Sequence, residues 1–173
     1  MPTRSNDSSR EGGSERALVV VAHYCEVLDF AMHHRTDDVL DSLGVRFDVM
    51  RTLTAFASLH LISGLFLLDS EDETGLGGMA PAILRSHGFH AEVLRLQEVF
   101  ARPLGEVTFG GYVRKSRNKL VTHGTWHPES LPPEVKAVGL DPEWADECER
   151  CWRDLASEIR HLCWTIQERT GLP

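Results

Sequence analysis

Apolar residues recur along this chain at three- and four-residue steps, and nowhere do they alternate convincingly with polar ones. That period predicts helices and not strands. Residues 1–13 are polar and rich in Gly and Ser, which reads as a disordered tail, with Ser14 as the N-cap of the first helix. A helical pattern then runs from Glu15 to about Leu43, where Gly44 supplies a stop. A second helix is predicted over residues 45–68, with Met50, Leu53, Ala57, Leu61, Gly64 and Leu68 on one face. From Leu61 to Leu68 almost every position is apolar, as in a helix central to a bundle or covered by a partner subunit. The acidic run DSEDETGLGG at 69–78 reads as a surface loop. Pro81 can open a short helix that Gly88 interrupts, and a further helix follows from His90 to Ala101.

Pro103 and Gly105 break the pattern, which resumes over 106–123 and ends at Gly124; the Pro- and Gly-rich stretch 124–142 reads as loop. The last helix is the clearest. Asp141 is placed to cap it, Pro142 takes its first position, and Glu143 follows. Trp144, Cys148, Cys151, Trp152, Leu155, Ile159, Leu162, Cys163 and Ile166 share one stripe of it. The expected architecture is an all-α bundle of four to five long helices, forming one domain over 14–173.

With 173 residues, the chain can bury a substantial core without a disulfide or metal staple. The formal net charge of −8 argues against unspecific coating of nucleic acid or anionic membrane, but it leaves room for a local basic patch. The N-terminus has no charged-then-apolar leader pattern, so a reducing, cytoplasmic setting with free thiols is expected for Cys25, Cys148, Cys151 and Cys163. The most apolar stretch, Leu53 to Leu68, is shorter than a membrane span and contains His60, so no membrane partner is expected.

Chemistry concentrates in GGYVRKSRNKLVTHG at 110–124, which packs Arg114, Lys115, Arg117 and Lys119 into six residues. Arginine can clamp phosphate oxygens with two hydrogen bonds, and a histidine such as His123 can move a proton near neutral pH. The Asn118 amide can orient a hydroxyl or a phosphate oxygen. Trp126, in the loop directly after, could stack on a base or fasten the loop to the bundle.

The string RNKLVTH at 117–123 resembles the motif of the HEPN superfamily: an Arg, a polar residue after it, and a His separated from the Arg by four to six residues, here five. It looks most like the abortive-infection type. The resemblance implies a dimeric helical bundle acting as an endoribonuclease without metal or other cofactor, in a toxin–antitoxin or antiphage system. It further implies catalytic roles for Arg117, Asn118 and His123, RNA contacts from Arg114, Lys115, Lys119 and Trp126, and a cognate antitoxin as a possible partner. On a straight helix Arg117 and His123 stand about 240° apart, so one motif alone is incomplete. Two copies meeting across a two-fold axis would complete it.

Other readings compete. A HEPN-like domain can be a non-catalytic module that binds nucleotide, RNA or a partner protein. His123 and His127 have an HxxxH spacing, and with His23, His33, His34 or His60 they could suit a DinB-like metal enzyme, although Gly124 and Pro128 break the helix between them. Cys148 and Cys151 form a CxxC, but it lies inside an amphipathic helix, where packed thiols are the simpler expectation. Trp144, Trp152 and Trp164 read as core or interface anchors. GLGGMAP lacks the Lys-Ser/Thr of a phosphate loop, and no Gly-x-Ser-x-Gly elbow occurs.

Overall fold

A computed structural model of the chain describes residues 7–33, 79–122 and 131–172. The second helix expected over 45–68 and the acidic loop at 69–78 lie outside the described residues. The described residues are all-α apart from one small hairpin. In chain order they comprise α1 (Asp7–His33), α2 (Met79–Ser86), α3 (His90–Phe100), β1 (Pro103–Leu104), β2 (Val107–Thr108), α4 (Phe109–Thr122), α5 (Pro133–Leu140) and α6 (Pro142–Thr170). Among these, α1 with 27 residues and α6 with 29 are the long ones.

The last helix organises the fold. Asp141 caps α6 by accepting hydrogen bonds from the amides of Glu143 at 2.9 Å and Trp144 at 3.3 Å. Pro142 fits the first turn, where an amide proton would have had no partner. Gly171, at φ +67°, closes the other end in the left-handed conformation. Along the stripe, Leu155, Ile159 and Leu162 are wholly buried, and Trp144, Trp152 and Cys163 pack on the core's edge. α6 packs against α1, α3, α5 and β1. Ion pairs fasten it on two sides: Arg160 reaches Asp29 of α1 at 3.2 Å, and Glu158 receives Arg95 of α3 at 2.8 Å.

Several elements depart from the sequence expectation. α1 begins at Asp7, well inside the expected tail, so Ser14 lies within the helix and does not cap it, and its exposed hydroxyl lies 3.2 Å from His87 Nε2. The helix nevertheless spans Gly12 and Gly13, which lower helix propensity and make this stretch read as coil. The stretch expected as loop contains α5, whose Val135 and Val138 are buried. Pro132 and Pro133, which read as loop punctuation, open it.

The break at Pro103 and Gly105 is a two-residue hairpin in which Pro103 pairs with Thr108 and Leu104 with Val107. Gly105, first in the turn, has φ +61°, and its Cα faces the Trp144 ring so closely that an added Cβ would stand 2.7 Å from it. Glycine is required there on both counts. Thr108 then leads into α4, its hydroxyl accepting from the Gly111 amide at 3.1 Å. Among the described residues no helix is long and apolar enough to cross a membrane.

Candidate nucleic-acid interface

The basic motif begins on α4, which is seated by Phe109, Val113 and Ser116, all buried. Counting 100° per residue, position 117 falls roughly 40° from Val113, position 114 roughly 100° and position 118 roughly 140°. Asn118 is accordingly exposed, and Arg114 and Lys115 are half-buried at the rim. The backbones of Arg117 and Lys119 belong to α4; their side chains, and His123, Trp126 and His127 entirely, lie outside the described residues. The structure therefore places Arg114, Lys115 and Asn118 on one helix, on the side turned away from Val113.

Ser116 is turned into the bundle. There the Tyr112 hydroxyl lies within hydrogen-bonding reach of Ser116 and of the Cys148 thiol on α6. Tyr112 is pushed up to about 12, chiefly by burial and then by the neighbouring Cys148.

A neighbour of the basic helix that sequence reading missed is Glu134, in the first turn of α5. Lys115 Nζ donates to its carboxylate, joining α4 to α5. That hydrogen bond, before other causes, holds the Glu134 carboxyl below the usual carboxylate range. The partners are 19 residues apart, and one sits in a stretch that reads as loop, so no local spacing rule could have matched them.

The cysteines are free thiols. Cys148 and Cys151 are buried on the α6 core stripe, in keeping with packed thiols. Trp164 does not join the core: it is 56% exposed, about 160° round the helix from Cys148. With Phe30 and Arg160 it lines a groove of ≈ 370 Å³ between α1 and α6, to which α4 contributes nothing. Among the described residues no three His, Cys, Asp or Glu side chains gather as a metal site.

Burial raises the thiols. Cys151 goes to about 11, helped by Glu147, and Cys163 to about 12, helped by Asp29 and Glu26; Cys25 is also pushed well up. Below the ordinary thiol value of 9.0 these groups are protonated whether folded or not, so they make stability no function of pH. Above it the unfolded chain sheds protons that the folded chain retains, and stability falls as pH rises. The urea midpoint is expected to be flat from pH 7 to 8.5 and to drop between about pH 9 and 11. Cys151→Ala should make the drop shallower; a wild-type midpoint constant across the alkaline range would contradict this account.

No protein-family model matches the chain, and no curated protein or solved structure is significantly similar to it.

Proposed function

We propose that the chain is a HEPN-like, metal-independent endoribonuclease that works as a homodimer in toxin–antitoxin or antiphage defence. The observation that carries this reading is the string RNKLVTH, which begins on a basic helix with Asn118 exposed and Arg114 and Lys115 beside it. In the proposed reaction His123 takes the proton from a ribose 2′-OH, and the 2′ oxygen attacks the adjacent phosphorus. The P–O5′ bond then breaks, and the leaving oxygen takes up a proton. Arg117 stabilises the charge that develops on the phosphorane, and Asn118 orients the phosphate or the hydroxyl. Arg114, Lys115, Lys119 and Trp126 serve RNA binding. The dimer supplies a second copy of the motif, and an antitoxin is the partner such a toxin would need.

The test is incubation of purified protein with an RNA pool in EDTA, followed by end-group analysis. Cleavage should persist and leave 2′,3′-cyclic phosphate and 5′-OH ends. Dependence on divalent metal, or 3′-OH ends, would eliminate the 2′-OH mechanism. Stoichiometric metal lost on His127→Ala would favour the DinB-like enzyme. Intact RNA after exposure to well-folded dimer would favour the non-catalytic binding module.

A further inference from the structure

The basic helix carries an acid of the protein's own. Lys115 is 43% exposed, extends from α4 on a flexible four-carbon stem, and donates to Glu134, which is 23% exposed. Glu134 is the better fixed of the two. It stands in the first turn of α5, where the helix dipole favours a negative charge. Its helix is held by buried Val135 and Val138 and runs directly into the α6 cap at Asp141. Its own backbone amide adds a hydrogen bond to the carboxylate, after the one from Lys115.

A carboxylate held in this way presents to Lys115 what an RNA phosphate would present: anionic oxygens that accept a charge-assisted hydrogen bond. We propose that Glu134 is an internal competitor for RNA phosphate, holding Lys115 so that RNA must displace a protein carboxylate to reach it. The inference rests on the RNA-acting reading above. It makes Glu134 a residue that limits affinity, and not one that touches RNA.

Counterion release makes the idea measurable. A lysine that exchanges water and salt for phosphate steepens the dependence of log K on log salt by about 0.7 on a single strand. A lysine that exchanges one fixed anion for another contributes less than that, because the internal carboxylate has already displaced its counterion. Removing Glu134 should therefore restore the missing slope. An ion pair this exposed adds little to stability, so Glu134→Gln should leave the fold in place.

The experiment uses the full chain and a fluorescently labelled, non-cleavable 2′-O-methyl single strand, titrated from about 50 to 300 mM KCl. Glu134→Gln should bind several-fold tighter at low salt and steepen the slope by about 0.7. Lys115→Gln should abolish that gain, so that Lys115→Gln with and without Glu134→Gln behaves alike. Acylation of the Lys115 amine without RNA, followed by mass spectrometry, reports on the pair itself and should speed up in Glu134→Gln.

Faster acylation with unchanged RNA affinity and slope would assign the pair to stapling α4 to α5, and would overturn the competitor role while leaving the RNA reading standing. An equal gain in the Lys115→Gln background would also overturn it, by showing diffuse charge at work. Failure of both wild type and Glu134→Gln to bind the strand would remove the RNA reading and the competitor role together.

Discussion

RNA cleavage by the His123→Ala protein is expected to be slower than wild type by about 10²–10⁴-fold, the range that positioned proton transfer contributes. The reasoning starts from the reaction. A ribose hydroxyl is a weak nucleophile near neutral pH, and the departing 5′ oxygen is a poor leaving group unless it is protonated. Imidazole is the side chain whose ordinary pKa, about 6.5, lets it both take and give a proton there. Arg117→Ala should cost about 10²–10³-fold for a different reason, loss of a charge placed against the phosphorane. The two variants should separate under rescue. Free imidazole should restore part of the His123→Ala rate and none of the Arg117→Ala rate. Single-turnover cleavage with saturating protein reads both, with thermal melts confirming that each variant folds. Full activity in His123→Ala would remove the residue on which the functional reading stands.

Phe109→Ala should be the most damaging of the core changes for stability, with a loss of about 3–5 kcal/mol. The ring is wholly buried at the junction of hairpin and α4. It stacks on Phe100 of α3 at 6.2 Å with 18° between planes, and it meets Trp152 of α6 edge-on at 5.1 Å and 88°. One side chain thus joins three helices, and its removal loses transfer energy, dispersion contacts and two oriented ring pairs at once. For a chain of this size each kcal/mol moves the melting temperature by about 2–4 °C, so a fall of roughly 6–20 °C is expected by calorimetry. Phe109→Leu should lose much less, since it keeps most of the apolar volume. A melting temperature within about 2 °C of wild type in Phe109→Ala would mean that the aromatic cluster does not hold α4 in place.

What the sequence revealed follows from how local each signal is. α6 was legible from Asp141 to Ile166 because a cap, a first-turn proline and about six turns of apolar spacing all lie within one continuous stretch. α5 was not. Eight residues are too few for a period to emerge, and what stabilises this helix is the burial of Val135 and Val138 against other elements. The hairpin escaped for the same reason, since two-residue strands cannot alternate. At the candidate site the cations and the amide could be read directly, because charge type and spacing are written in the chain. Lys115–Glu134 could not, since the pair exists only once α4 and α5 are side by side. Trp164 was legible only as to type: its size suggested a core or interface anchor, and helical phase keeps it out of the core.

Asp141 ends α5 and starts α6, its amide bonded to the Ala137 carbonyl while its side chain caps the next helix. The joint between the two helices is therefore a single residue, without slack. An insertion there would act as a loosened hinge: it would leave both helices able to form and let α5 swing about its far end. Glu134 would move with it, so the spacing at residue 141 sets the reach of a carboxylate two turns away. In a protein under selection to change how tightly it grips its target, the length of that joint would be as consequential a variable as the identity of the charged residues.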